Sequence, residues 1–241
     1  MGRYSRELAP RLVAFAGVAD GMRALDVGCG SGLLTSTLAE RLGAANVAAA
    51  DPSESLLDAC AARVPGADVR RAPAEELPWP DASFDVVLSQ LVLNFVADAD
   101  AAVAEMGRVA APGGILASCT WDYAGGMRML RTFWDAATEL DPTAPAESNM
   151  RYRTEEELAS LWERGGLGDI ETGPLEVEVA YDSFDEFWEP FTLGVGPAGA
   201  YYASRDEAAR EALREGCFSR LGAPAGAFSL GARAFAVRGT R

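Results

Sequence analysis

Two side-chain types are missing from this chain of 241 residues: it has no histidine and no lysine, so all 21 cationic side chains are arginine. Histidine is the commonest general base in enzymes, and arginine keeps its proton at ordinary pH. A base, where one is needed, must therefore be a carboxylate, a tyrosine, a thiolate or the substrate itself. A lysine-free composition rich in alanine and arginine is typical of GC-rich bacterial genomes.

Cysteine is scarce, and its spacing lacks the C-x-x-C pattern that is typical of redox motifs and of many metal sites. We therefore expect free, buried thiols in a reducing cytosol, and no metal site. The four cysteines are Cys29, Cys60, Cys119 and Cys217.

Long apolar runs are also missing, and the chain does not open on a basic and apolar signal segment. These two absences predict a cytoplasmic protein without a membrane span. The net charge of −15 argues against a nucleic-acid partner, because proteins that bind a phosphate backbone normally present a basic face. The length fits one domain with a sizeable core.

A glycine-rich stretch between a predicted strand and a predicted helix is the most informative part of the chain. The apolar run 24–27 predicts a short buried strand, and from Leu33 the apolar spacing becomes helical. Between them, the sequence of residues 26–32 is D-V-G-C-G-S-G. Its glycines let a ligand approach the backbone, and the helix start offers unpaired N–H groups. The stretch therefore predicts a binding site.

The spacing of these glycines favours one class of ligand. The pattern is G-x-G-x-G, with Leu33 where a dinucleotide-binding loop would have its third glycine. Asp26, at the strand end, suits a cationic amine and does not suit a pyrophosphate. A second apolar run ends in Asp51, 25 residues further on, where a carboxylate can accept hydrogen bonds from both ribose hydroxyls. An amine, a ribose and no phosphate fit S-adenosylmethionine (SAM) better than NAD.

Further motifs follow in order: A-A-A-D-P-S at 48–53, A-E-E-L-P-W at 74–79, S-F-D-V-V-L-S at 83–89 and R-V-A-A-P-G-G-I-L at 108–116. Together with the glycine loop they resemble the ordered motifs of class I SAM-dependent methyltransferases. The chain is most similar to the small-molecule enzymes related to ubiquinone and menaquinone methyltransferases. The resemblance covers roughly residues 22–121.

This resemblance implies an α/β fold: a Rossmann-like, seven-stranded, mostly parallel sheet with helices on both faces, an antiparallel last strand and a small helical cap. We expect one methyltransferase domain over residues 1–241. Its core is expected at about 18–121, 154–181 and 226–241, and its cap at about 1–17, 122–153 and 182–225.

The resemblance also implies which residues contact SAM. In the family, the loop that begins at Ala74 meets the adenine ring, and an acidic residue often precedes it. Here that position is Pro73, so adenine recognition is expected to depend on Ala74 and Glu75, or on packing against Pro52, Ser53 and Leu77. The expected cofactor contacts are Asp26, Gly28, Cys29, Gly30, Gly32, Asp51, Pro52, Ser53, Ala74, Glu75, Ser89, Gln90 and Leu91.

Gln90 and the following residues, Leu91 to Phe95, are expected near the transferred methyl, because ligands bind beyond the carboxyl ends of parallel strands. Gln90 and Asn94 are the candidates among them. Asn94 could instead be the N-cap of the helix predicted at 98–110.

Tyr4 is the third candidate. In the family the N-terminal helix usually closes over the cofactor, which would bring Tyr4, Arg3 or Arg6 near the methionine carboxylate. The alternative is a solvated helix end, and Pro10 is expected in the first helical turn. No catalytic residue is assigned beyond these candidates.

Two segments beyond residue 121 are rich in aromatic residues and are expected to determine the substrate. Capping-box spacing predicts helix starts at Thr154 and Ser204. Aromatic residues at helical spacing are more often core than pocket, but these segments hold more of them than a small cap needs, so part of this surface is expected to enclose an apolar or planar substrate. The candidate pocket residues are Tyr123, Phe133, Trp134, Trp188, Phe191 and Tyr201.

The sequence thus predicts a SAM-dependent methyltransferase that acts on a small, apolar or aromatic acceptor by direct in-line displacement, with S-adenosylhomocysteine as product. The alternative is a SAM-fold protein recruited for other chemistry or for a non-catalytic binding role. The expected partner is the small-molecule acceptor, with no nucleic acid and no membrane span. Monomer and homodimer both remain open.

Overall fold

The computed structural model describes residues 2–145 and 150–241, whose strands form one seven-stranded sheet in the order β3-β2-β1-β4-β5-β7-β6. The strands are β1 Ala24–Val27, β2 Val47–Asp51, β3 Asp68–Arg71, β4 Phe84–Gln90, β5 Ala110–Trp121, β6 Gly168–Tyr181 and β7 Phe228–Thr240. The α-helices are α1 Gly2–Ala16, α2 Leu33–Leu42, α3 Glu54–Arg63, α4 Ala99–Val109, α5 Arg128–Leu140, α6 Glu155–Arg164, α7 Phe184–Thr192, α8 Gly196–Ala203 and α9 Glu207–Arg220.

The first five strands are parallel, and the last strand is antiparallel to its neighbours β5 and β6. Every residue of β1 and β2 is buried, because helices cover both faces of the sheet. The mostly parallel sheet with an antiparallel last strand confirms the predicted fold class.

Two apolar clusters fill the space between the sheet and its helices. One cluster joins the sheet to α1, α2 and α5, and extends to α7, α8 and α9. The other joins the opposite face to α4 and α6. In the sheet, β2 and β4 lie on opposite sides of β1, so the strand order reverses direction at β1. Such a reversal opens a crevice at the carboxyl ends of the strands, where ligands bind in sheets of this kind.

Two predicted helix features are wrong. The N-terminal helix begins at Gly2, so Pro10 lies in its interior and not in its first turn. Pro10 is exposed, and the buried Leu8 and Leu12 on either side of it anchor the helix to the core. Ser204 does not begin a helix: its hydroxyl donates to the Tyr201 carbonyl at 2.7 Å, which closes the preceding helix instead.

Aspartates cap α4 and α9, where the sequence analysis had named Asn94 and Ser204 as possible caps. Asp206 caps α9 by accepting from the Ala209 N–H at 2.8 Å. Asp98 caps α4 by accepting from the Ala101 N–H at 3.0 Å, so the N-cap interpretation of Asn94 is wrong. Thr154 does cap α6, as predicted.

No helix in residues 2–145 and 150–241 is both long and apolar enough to cross a membrane.

Candidate active site

The glycine loop turns the chain sharply between β1 and α2. Gly28, Gly30 and Gly32 all have positive φ angles, of 74°, 52° and 82°. A Cβ on Gly28 would lie 2.5 Å from a Val92 methyl, and one on Gly32 would lie 2.8 Å from the Cys60 sulfur. The loop therefore needs glycine for its backbone angles and for the close approach of its neighbours.

Hydrogen bonds attach this loop to the end of β2. The Gly28 and Cys29 N–H groups donate to the Ala50 carbonyl at 2.8 and 2.9 Å. The Asp51 carboxylate accepts from the Gly30 N–H and the Ser53 N–H, both at 2.9 Å. Asp51 is thereby oriented by backbone donors at the strand end, and each oxygen keeps a further lone pair for a ligand hydroxyl.

Asp26 lies beneath the loop and is 1% exposed. One carboxylate oxygen accepts from the Thr35 hydroxyl at 2.6 Å, and the other has no hydrogen-bond partner among the described residues. Burial raises the pKa of Asp26 to about 7, and the Thr35 hydrogen bond opposes that rise. The site thus holds a buried carboxyl whose free oxygen suits a cationic donor.

The end of β4 connects the loop to the N-terminal helix. The buried Ser89 hydroxyl donates to the Val27 carbonyl at 3.0 Å, which ties the ends of β4 and β1 together. The Gln90 amide donates to the Ser5 carbonyl at 3.0 Å, and its side-chain oxygen is buried without a partner in the described structure. Leu91 follows with a φ of 64°, its N–H bonded to the Cys119 carbonyl.

The residues expected at adenine lie beside this crevice. Ala74 is buried, and the Glu75 carboxylate accepts from the Asp98 N–H at 3.3 Å. Pro52 is exposed and Ser53 is half-buried at the end of β2. The loop that begins at Ala74 is therefore held against the start of α4.

Tyr4 is buried in the core, so its environment is not that of a solvated helix end. Its hydroxyl accepts from the Tyr181 hydroxyl at 3.1 Å, and its ring meets Trp121 edge-on at 6.2 Å. Burial raises the Tyr4 pKa far above its usual value, so this phenol stays protonated. Arg3, next to it, forms an ion pair with Glu186 in α7.

Asn94 bridges two loops at the edge of the crevice. Its amide nitrogen donates to the Tyr123 hydroxyl at 3.3 Å, and its side-chain oxygen is buried without a partner in the residues that the structure describes. The bond joins the loop after β4 to the loop after β5.

A cavity of about 450 Å³ opens beyond the ends of β4 and β5. Leu91, directly after Gln90, forms part of its wall, so the cavity adjoins the crevice. The described residues that line it are all uncharged: Gly2, Ser5, Leu91, Phe95, Trp121, Tyr123, Met129, Leu130, Met150, Pro190, Phe191, Leu193, Val195, Gly196, Pro197 and Ala198.

Only two of the six predicted pocket residues, Tyr123 and Phe191, are among these described lining residues. The others pack behind the wall. Phe133 stacks on Phe191 with ring centres 4.6 Å apart, Trp188 lies 5.7 Å from Phe191, and Trp134 lies 5.6 Å from Tyr201. These four form an aromatic cluster that supports the wall, and their contact with a substrate stays a prediction.

Asp122, which lies between the lining residues Trp121 and Tyr123, is already engaged. Its oxygens accept from the Arg233 guanidinium and from the Ala124 and Gly125 N–H groups. Asp122 is thereby withdrawn from the cavity wall, which agrees with the uncharged lining.

Comparison with known proteins identifies the family. Residues 25–118 match the family described as methyltransferase domain, and this span holds the glycine loop, Asp51 and Gln90. An uncharacterised protein of Mycobacterium tuberculosis is 32% identical over 212 residues, which are 81% of this chain and 72% of the relative. The chain belongs to this methyltransferase family.

Further matches agree with this assignment. The methyltransferase is 38% identical over 118 residues to a ubiquinone biosynthesis O-methyltransferase of Agrobacterium fabrum, covering 47% of this chain and 46% of that one. A crystal structure of a putative methyltransferase from Bacillus halodurans has a TM-score of 0.61 at 16% identity, covering 96% of this chain and 97% of that chain, which shows a common fold. The resemblance predicted from the motifs is confirmed, and the protein is a SAM-dependent methyltransferase.

Several lining residues of the methyltransferase cavity escaped the sequence analysis. Trp121 could have been found, because it ends β5 at the edge where parallel sheets bind ligands. Leu193 and Val195 are 66% and 76% exposed at the cavity mouth, and no pattern in their local sequence separates them from ordinary loop residues.

Proposed function

We propose that this methyltransferase binds SAM at the glycine loop and transfers its methyl group to a small, apolar or aromatic acceptor held in the 450 Å³ cavity. The observation that carries the proposal is the uncharged cavity that adjoins the end of β4, one residue beyond Gln90. The cofactor residues and the acceptor cavity then meet at the carboxyl edge of the sheet.

The buried groups at the loop fit the chemistry of SAM. The free oxygen of Asp26 suits the cationic amine of its methionine part, and Asp51 is placed for the ribose hydroxyls. The small glycine loop lets the cofactor lie against the backbone. Ala74 and Glu75, with Pro52 and Ser53, are the proposed adenine contacts.

SAM supplies a sulfonium-bound methyl group that needs no activation by the protein. The task of this chain is to align the acceptor with the S–CH₃ bond and to exclude water, and such positioning can lower a barrier by roughly 7–11 kcal/mol. We place Gln90 and Asn94 beside the transferred methyl. Tyr4 is buried behind the cavity wall against Trp121, so we propose that its neutral hydroxyl supports that wall.

The lining also limits the acceptor. An apolar cavity without a charged side chain in its described lining favours a molecule that is neutral apart from its nucleophile. A phenolate, an amine or an enolate needs little further activation, whereas an aliphatic alcohol would need a base. In-line displacement on such a nucleophile is the mechanism that we propose.

The cap is part of the proposal. The cavity wall draws on the N-terminal helix and on segments 122–153 and 182–225, while the cofactor residues lie in the sheet and its loops. Substrate choice and cofactor binding are thus assigned to different parts of one domain over residues 1–241. No observation favours the recruited-fold alternative.

Calorimetric titration with S-adenosylhomocysteine tests the cofactor site. We expect micromolar binding by the native chain and an affinity about tenfold or more weaker for Asp51→Ala, because a charged hydrogen-bond acceptor is lost. Asp58→Ala, which removes an exposed carboxylate on α3, is the matched control and should bind like the native chain. Absence of binding by the folded native chain would refute the proposal.

An acceptor screen tests the proposed substrate class. With SAM present, phenols, amines and quinone-like compounds should gain one methyl group, detected by mass spectrometry. Methylation confined to highly charged, hydrophilic acceptors would contradict the assignment of the cavity.

A further inference from the structure

Two of the four cysteines meet at the glycine loop. Cys29 is the residue between the first two loop glycines, and Cys60 lies in the second turn of α3. Both side chains belong to one small apolar cluster with Ala49 and Leu57, in which the two thiols interact with each other. The pair thus joins the cofactor loop to a neighbouring helix.

The local packing holds Cys60 against the loop. Its thiol donates to the Thr35 hydroxyl at 3.6 Å, the same hydroxyl that donates to Asp26. The missing side chain of Gly32 leaves room for the Cys60 sulfur, which would lie 2.8 Å from a Cβ there. Cys60 therefore touches the network that forms the cofactor site.

The four thiols differ in reactivity. The interaction with Cys29 and the nearby charge of Arg63 lower the pKa of Cys60 to about 7, whereas the same interaction and burial raise the pKa of Cys29 far above its usual value. Burial instead raises the pKa of Cys119 and of Cys217 to about 12. Of the four thiols, Cys60 is therefore the one that most readily becomes a thiolate, the form that reacts with peroxides.

We propose that Cys29 and Cys60 are a redox modification site, at which hydrogen peroxide forms a reversible disulfide that weakens cofactor binding. The Cys60 thiolate attacks peroxide, giving a sulfenic acid and, after protonation, water. The Cys29 sulfur then attacks the Cys60 sulfur, the S–S bond forms and a second water leaves. Two thiols and one peroxide thus become one disulfide and two waters. The effect on binding rests on the proposed SAM site, whereas the formation of the bond does not.

The disulfide must move the loop. Both cysteines are free in this structure, and an S–S bond of about 2.05 Å would draw their sulfur atoms together, so the loop and α3 have to approach each other. That movement pulls on the Gly30 N–H, which is bonded to Asp51, and on the backbone expected to meet the cofactor. Bound cofactor should in turn cover Cys29 and slow its oxidation, because the two processes are linked.

Peptide mapping tests the bond itself. Trypsin cleaves after arginine, so it separates peptide 24–41, which holds Cys29, from peptide 42–63, which holds Cys60. After treatment with hydrogen peroxide, we expect these two peptides to be crosslinked and to separate on addition of dithiothreitol. Cys60→Ser should abolish the crosslink, and the matched control Cys119→Ser should retain it. Absence of this crosslink, or irreversible sulfinic acid in its place, would overturn the proposal.

Calorimetry tests whether the disulfide weakens cofactor binding. The oxidised chain should bind S-adenosylhomocysteine about tenfold more weakly than the reduced chain, and dithiothreitol should restore the affinity. Equal affinities of a crosslinked and a reduced sample would overturn the regulatory role. If the reduced chain binds no S-adenosylhomocysteine, the proposed function fails, while the mapping still decides whether the thiols form a bond.

Discussion

Single buried side chains determine the chemistry of the crevice that we propose as the cofactor site. Asp26 keeps one oxygen without a partner among the described residues, and the Thr35 hydroxyl binds the other. Such a carboxyl is costly to ionise in the apolar interior and becomes favourable only beside a positive charge. Its protonation state therefore reports on whether a cationic ligand is present.

The buried position of Asp26 predicts a pH-dependent stability. Its pKa is about 4 in the unfolded chain and about 7 in the folded chain, so unfolding releases a proton between these values. The stabilising contribution is therefore complete below about pH 4 and is lost as the pH rises towards 7, by up to roughly 4 kcal/mol at about 1.4 kcal/mol per pKa unit. Asp26→Asn should lack this loss.

Urea unfolding of the native chain and of Asp26→Asn at several pH values checks this expectation. The difference in the free energy of unfolding, native minus variant, should fall between about pH 4 and pH 7 and stay level above. A difference that is independent of pH would show that Asp26 ionises normally in the folded chain.

At the scale of the elements, the glycine loop and its strands follow from short-range patterns. The apolar run 24–27, the loop glycines and the helical spacing after Leu33 form β1, the turn and α2 as predicted. Helix starts were harder to predict, because several polar residues near each start compete for the cap. Asp98 caps α4, whereas the Asn94 amide donates to the Tyr123 hydroxyl.

The cap of α4 gives a prediction at this scale. Asp98→Ala should lower the free energy of unfolding by about 1 kcal/mol, because the Ala101 N–H loses its acceptor. Asp98→Asn keeps a capping oxygen and should retain most of the stability. Equal losses in the two variants, measured by urea unfolding, would show that the cap is not what stabilises this helix.

At the scale of the whole molecule, the mouth of the cavity is built from distant parts of the chain. Phe95 comes from the loop after β4, while Leu193 and Val195 come from the connection between α7 and α8. These exposed apolar side chains extend the lining of the cavity outwards. An apolar acceptor that fills the cavity would cover them and gain binding energy from the buried area.

Leu193→Ser should therefore raise the KM for the acceptor several-fold, leaving the affinity for S-adenosylhomocysteine and the stability nearly unchanged, because this side chain is 66% exposed. Leu56→Ser, on the exposed side of α3, is the matched control and should leave the KM unaltered. Steady-state kinetics with an acceptor from the screen measure both. An equal KM in the native and Leu193→Ser chains would show that the acceptor does not bind at the cavity mouth.

The sequence by itself determined the fold class, the position of the glycine loop and the placement of Asp26 and Asp51 at neighbouring strand ends. These features depend on apolar periodicity, on glycine backbone angles and on hydrogen bonds across adjacent strands, all of which local residue order specifies. Only the tertiary structure decided which aromatic residues line the cavity, that Cys29 and Cys60 share one cluster, and that burial raises the pKa of Asp26. Those outcomes depend on packing between segments far apart in the chain, and on the desolvation that such packing imposes.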